Sequence, residues 1–409
     1  MEVLMTPAEL QAAARLGGYA FAGLVTRIER VHQAIARRAF SPVRLAGAPA
    51  RLMHDTISRG VYLAVRGAGS AAGACSGQAA ALLLGPGLPA AAAPGGNLAL
   101  AALNAIAGDR LGPDLAPLAI RMAVRAGGRD VDLTTPALAA AFPCATPRLA
   151  VFVHGLAETD NSWDQRGDQR VCYGRELEAA CGYSAVYVRY NSGRHVSDNG
   201  QDLAVLLEQL TAAWPEQVDE ILLVGHSMGG LVIRSACHYG QQSSAAWPQL
   251  VRRVFYLGSP HLGAPLARAA GLAGWAMSQF PETRPFVTMV NGSSSGIKDL
   301  RHGYLLRGDW DGCDQDSCPR DHRRDAPLLA GADHHAISAT VTGDPGSPIG
   351  AVIGLLVPPA SAHGRRGRHQ HIPFRAGSGS RLDGMHHFDL LGHPGAWEAI
   401  RGLLGQAAS

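Results

Sequence analysis

The sequence predicts an α/β fold: a mostly parallel, doubly wound sheet with helices on both faces, preceded by a helical N-terminal region. Three observations predict it. From Pro147 onward, short apolar runs of strand length alternate with amphipathic segments of helix length. The runs are apolar throughout, as expected of parallel strands covered on both faces. Within that series, one strand-to-helix junction carries the pattern Gly-x-Ser-x-Gly.

The strands are expected at Arg148 to Val153, Ser184 to Tyr190, Glu220 to Val224, Val254 to Leu257 and Ile337 to Val341. Helices are expected at Asp202 to Ala213, Gly229 to Tyr239 and Pro394 to Leu404. Residues 147–409 thus read as one catalytic domain and residues 1–146 as the helical N-terminal region. In the latter, Phe21, Leu24, Val25, Ile28, Val31 and Ile35 recur at helical spacing, which predicts an amphipathic helix. Residues 70–96, mostly Ala, Gly, Leu and Pro, are expected as a loose connection, and residues 97–107 as a helix. The block Leu118 to Arg125, just after Pro117, predicts a further short helix.

Composition limits the function. With 47% hydrophobic and only 17% charged residues, the chain has a sizeable core and is not a disordered segment. A formal charge of +3 gives no nucleic-acid footprint. Lys298 is the only lysine, and the arginine bias reads as genome composition. Of the seven cysteines, only Cys313 and Cys318 lie close together in a polar loop. A local disulfide or a metal would suit that spacing, but two thiols are expected. Glu2 and Glu9 stand where a secretion signal needs a basic start and an apolar core. The uncharged run from Ala79 to Gly96 is broken by Gly and Pro, and residues 349–360 are too few to span a bilayer. A soluble, cytoplasmic protein is expected.

The chemistry centres on ILLVGHSMGG, Ile221 to Gly230. A nucleophile on a sharp strand-to-helix turn needs small residues two places before and after it, and Gly225 and Gly229 flank Ser227 in that way. The helix N-terminus beneath favours developing negative charge. With 50 glycines such a match can arise by chance, but four apolar residues before it and a helical pattern after it favour a nucleophile elbow, and with it the α/β-hydrolase fold. An oxyanion hole in this fold takes one backbone N–H from the residue after the nucleophile and one from an early strand-end loop. Met228 and Leu156 are those donors, the latter following Val153, His154 and Gly155. The base should lie near the chain's end, where His386, His387 and His393 stand among 17 histidines.

These blocks carry a resemblance. The chain resembles bacterial α/β-hydrolases of the lipase and GPI inositol-deacylase-like type in VHGLAETDNSW (Val153 to Trp163), YNSGRHVSDNG (Tyr190 to Gly200) and the elbow. The resemblance continues in YLGSPHLGAPLAR (Tyr256 to Arg268), SSGIKDLRHGYL (Ser294 to Leu305) and HHFDLL (His386 to Leu391), and ALNAIAGDRL (Ala102 to Leu111) extends it toward the N-terminus. It implies that the catalytic histidine directly precedes the hydrophobic residue of the last block, which selects His387 over His386. It also implies an aspartate in a block resembled by IGLLVPPASAHG, but Gly354 stands at that position. Asp344, between serine and histidine in chain order, is the substitute candidate. Asp383 and Asp389 are each expected to serve a turn or the following segment.

The expected reaction is acyl transfer from a carboxylic ester to water through an acyl-serine. His387 moves the proton, two N–H groups hold the oxyanion, and the acid orients the imidazole. No metal or organic cofactor is required. The expected partner is a small-molecule or lipid ester, with peripheral membrane contact compatible with it; neither nucleic acid nor an obligate protein partner is expected. The same residues would suit a thioesterase or an acyltransferase. A non-catalytic or weakly active scaffold with an impaired triad is the alternative that Gly354 motivates.

Overall fold

The computed structural model describes residues 6–40, 48–84, 96–164, 170–264, 294–312, 322–340, 359–366, 370–375 and 378–405. Two compact units are formed, one from Met1–Leu100, Arg110–Ala119 and Ala269–Ser293, the other from Ala101–Asp109, Ile120–Arg268 and Ser294–Ser409.

The first unit is built on two long helices, α1 (Pro7–Phe40) and α2 (Ala48–Leu84). Thr6, Pro7 and Glu9 start α1. The Glu9 N–H donates to Thr6 Oγ1 at 3.2 Å and the Thr6 N–H to Glu9 Oε2 at 2.9 Å, a reciprocal cap with proline at the first helical position. Residues 70–84, expected as a loose connection, continue α2 instead. Gly weakens a lone helix, but here the small size of Gly73 and Gly77 lets two backbones approach. A Cβ on Gly73 would stand 2.6 Å from the Ala14 carbonyl oxygen, and one on Gly77 2.7 Å from Ala14 Cβ. Tertiary packing overrides propensity. The apolar residues of α1 also divide, for Val25 is buried whereas Leu24 and Ile28 are half exposed.

The second unit holds the sheet. Its strands are β1 (Ala123–Ala126), β2 (Arg129–Val131), β3 (Arg148–Val153), β4 (Ser184–Arg189), β5 (Glu220–His226), β6 (Val251–Leu257), β7 (Asp333–Thr340) and β8 (Gly379–Asp383). They lie in the order β8-β7-β6-β5-β3-β4-β1-β2, with all pairings parallel except those that β1 makes with β4 and β2. The first two strands replace the short helix expected over Leu118 to Arg125. Gly127 and Gly128 both take positive φ, +54° and +75°, as a two-residue hairpin turn requires, and Val124 is buried.

After α3 (Gly96–Ala107), helices cover both faces of the sheet: α4 (Thr135–Ala141), α5 (Tyr173–Cys181), α6 (Val196–Ala213), α7 (Met228–Gln242), α8 (Ser295–His302) and α9 (Pro394–Gly405). The pleat of β3 sends Leu149, Val151 and Val153 into one core with Leu203, Leu207, Leu231 and Val232 of α6 and α7. Ala150 and Phe152 enter the other core with Tyr173, Leu177, Trp397 and Ile400 of α5 and α9. The parallel strands therefore read as unbroken apolar runs because each face has its own helical cover. Asp344, Gly354, Cys313 and Cys318 lie outside the described residues.

Candidate active site

The strand β5 ends at His226, and Ser227 turns the chain into α7 with φ 50° and ψ −119°. Positive φ is strained for a residue with a Cβ, so the surroundings must impose it. The Ser227 N–H donates to the Leu257 carbonyl at 2.8 Å, and its carbonyl accepts from Gly230 N–H at 3.2 Å. The flanking glycines are required by space. A Cβ on Gly225 would lie 2.6 Å from Gly230 N, and one on Gly229 only 2.2 Å from the Val153 carbonyl oxygen. That second approach sets the N-terminus of α7 directly against the end of β3, where the loop of Leu156 begins.

That loop is held by residues the sequence did not single out. Gly155 N–H donates to Glu158 Oε2 at 2.7 Å, and Ala157 N–H, in a residue at φ 59°, donates to Ser192 Oγ at 3.2 Å. The N–H groups on both sides of Leu156 are thus engaged. Met228 is the first residue of α7, so its N–H has no acceptor within the helix. His154 is structural: its Nδ1 lies 2.8 Å from the Gly155 carbonyl, and Tyr190 N–H donates to its Nε2 at 3.2 Å. Complete burial lowers its pKa below the ordinary histidine value, so the ring is neutral.

His387 is buried and His386 is exposed. Its ring lies against the end of β6, where a Cβ on Gly258 would meet Nδ1 and Cε1 at 2.8 Å. Ser227 is hydrogen-bonded to the residue just before that glycine, so β6 brings serine and histidine to one end of the sheet. Burial, and then the neighbouring His226 ring, push the His387 imidazole down to about 3. Among the described residues no carboxylate bonds to its ring nitrogens. Asp389 instead accepts from His386 N–H at 2.8 Å and Arg170 at 3.3 Å, while Asp383 pairs with Arg381 at 2.9 Å on the surface. Asp389 thus caps the short helical turn that begins at His387, and Asp383 closes the end of β8.

A second buried pair underlies the site. His226 Nδ1 lies 2.8 Å from Glu158 Oε1 and 3.0 Å from Oε2, and its Nε2 lies 3.2 Å from the His387 carbonyl oxygen. Burial would raise the Glu158 carboxyl. The charge and hydrogen bond of His226, with the Gly155 N–H, outweigh that and hold it below the usual carboxylate range. Among the described residues no cluster of three or more His, Cys, Asp or Glu side chains is placed to hold a metal ion.

Comparison with known proteins agrees with this architecture. Residues 189–313 match the family described as "PGAP1-like alpha/beta domain". A lipase of Bacillus licheniformis, BlEst2 in mature form, is similar at 21% identity over 63% of this chain and 91% of its own, with a TM-score of 0.41. Lipase B of Aspergillus fumigatus is 13% identical over 71% of this chain and 56% of its own, at a TM-score of 0.32. The esterase Pf2001 of Pyrococcus furiosus is 13% identical over 64% of this chain and 80% of its own, at 0.34. No curated protein matches the chain. Strand order, the strand-to-helix turn at Ser227 and the family match over residues 189–313 together give the sheet-bearing unit the α/β-hydrolase fold.

Proposed function

We propose that the chain is a serine hydrolase of carboxylic esters, acting through an acyl-serine on Ser227. The observation that carries this reading is the backbone of Ser227, held at positive φ on a strand-to-helix turn between two glycines that no larger residue could replace. Strain of this kind needs a reason, and presenting a nucleophile above a sheet is one. In the proposed reaction Ser227 Oγ attacks the ester carbonyl and His387 takes its proton. The N–H groups of Leu156 and Met228 receive the oxyanion. The alcohol leaves with that proton, and water repeats the sequence to free the acid. Burial keeps His387 unprotonated at neutral pH, and a carboxylate on its ring would restore the basicity that burial lowers. Asp344 is the proposed acid.

The test is labelling with a fluorophosphonate probe alongside turnover of a p-nitrophenyl ester. Wild type should label and turn over, and Ser227→Ala should do neither while keeping its circular dichroism. Turnover near the wild-type rate in purified Ser227→Ala would refute the nucleophile assignment.

A further inference from the structure

Between α1 and α2 lie polar pairs as well as small residues, while many of the large apolar side chains face outward. Between the helices Arg66 pairs with Glu29, Tyr62 Oη lies 3.2 Å from His32 Nδ1, and His32 Nε2 lies 3.2 Å from His54 Nε2. His54 Nδ1 in turn lies 3.1 Å from Asp55. Small residues bring the backbones together at Gly18, Gly73 and Gly77. The outer face of α2 shows the reverse composition. Met53, Ile57, Val61 and Val65 form an i, i+4 row that is 67%, 55%, 55% and 40% exposed, and Leu52 and Leu63 beside them are 70% and 66% exposed. Thr56, Gly60, Ala64 and Gly67 fill the space between these rows, so more than half the circumference is apolar or small. Scattered exposed apolar residues need no explanation, but a continuous face of them marks an interaction surface.

Charge names the partner. Between Thr6 and Leu84 stand nine arginines against three acids, an excess of six, whereas the whole chain carries +3, so the remainder is net negative. Arg59 is exposed and shares a helix face with Leu52 and Leu63. A second copy of the same cationic face would meet it with like charge, while a surface of anionic headgroups over acyl chains complements both the arginines and the apolar rows. No described helix is long and apolar enough to cross a membrane. We propose that the α1–α2 hairpin docks on an anionic phospholipid surface, lying in the interface with the outer face of α2 toward the acyl chains. This goes beyond the ester-hydrolase reading and does not depend on it.

The experiment is co-sedimentation of the full chain with vesicles of phosphatidylcholine, with and without phosphatidylglycerol, beside its sedimentation velocity without lipid. The chain should bind the phosphatidylglycerol vesicles, lose that binding as salt is raised, and bind phosphatidylcholine alone weakly. Ile57→Glu and Val61→Glu, at exposed positions the fold does not need, should each weaken binding by about tenfold or more. Arg59→Glu should narrow the difference between the two lipids, and Ser227→Ala should bind as wild type. Failure to bind either vesicle, or equal binding to both, overturns the proposal. So does a lipid-free dimer that Ile57→Glu dissociates, which would assign the face to a second copy of the chain.

Discussion

The imidazole of His226 bridges Glu158 and the main chain of His387, with Nδ1 2.8 Å from the carboxylate and Nε2 3.2 Å from the carbonyl oxygen. The two ring nitrogens thus reach two oxygen partners at once. Through Gly155 N–H the same carboxylate also fixes the loop of Leu156. One buried Glu158–His226 pair thus ties the loop after β3, the residue before Ser227 and the backbone of the candidate base. Glu158→Gln keeps the shape and removes the charge. It should lower kcat by about tenfold to a hundredfold with a smaller effect on KM, as the loss of a hydrogen bond to a charged group does. Glu158→Ala should cost about 3 kcal/mol or more in urea unfolding, because it leaves a buried partner uncompensated. A Glu158→Gln enzyme with wild-type kcat would show that the pair supports the fold alone.

The two adjacent histidines differ in burial, and their variants should differ accordingly. His387→Ala should lose about 10⁴ or more in kcat/KM, and His386→Ala should remain within a few-fold of wild type. Comparable losses from both, or a larger one at His386, would move the base assignment.

Acidity follows from the same burial. Without a carboxylate partner, a ring pushed down to about 3 stays neutral as pH falls through the ordinary histidine value of about 6.5, so in Asp344→Asn the acid limb of kcat/KM should lie well below that value. A limb at or above 6.5 would show a carboxylate seated on His387 Nδ1, raising it.

Stability should move in the opposite sense to that tolerance. Burial also pushes His334, bonded to Tyr256 Oη at 2.9 Å and the Leu329 carbonyl at 3.0 Å, down to about 4. Unfolded, both rings take up protons near pH 6.5; folded, they do so only near 4 and 3. The unfolded state therefore binds more protons between these values, and stability falls as pH is lowered from about 6.5 toward 4. The urea midpoint measured across that range should decline, and less steeply in His334→Gln. An unchanged slope in that variant would remove His334 from the account.

The acid is tested from both sides. If Asp344 orients His387, Asp344→Asn should lower the acylation rate by up to about 10⁴, and Gly354→Asp should add nothing. No change in the first with a large gain in the second would favour a weakened enzyme awaiting its carboxylate.

How much of this was legible depends on how local each signal is. The strand Arg148–Val153 reads directly because two helical layers make every position apolar, and the elbow reads because its constraints fall within five residues. The hairpin at Gly127–Gly128 carried a readable signal, two glycines able to take positive φ, but Pro117 drew attention to a helix start instead. Residues 70–84 carry helix-favouring Ala and Leu, but Gly73 and Gly77 among them obscure that signal, and those glycines are explained only by the close approach of Ala14 and Gly18, more than 50 residues earlier. The Glu158–His226 pair is equally non-local. A glutamate in a loop and a histidine before a serine acquire a joint role only when β3 and β5 lie side by side.

Both margins of the main sheet end in ways that matter for a concentrated solution. At one margin β2 is three residues long, and its exposed Asp130 is paired with Arg125 and Arg189; at the other, β8 presents Arg381 and Asp383. Short, charged borders make poor templates for a strand from another molecule. Among the described strands, addition of a strand from another molecule is thereby disfavoured at both borders of an otherwise strongly apolar sheet.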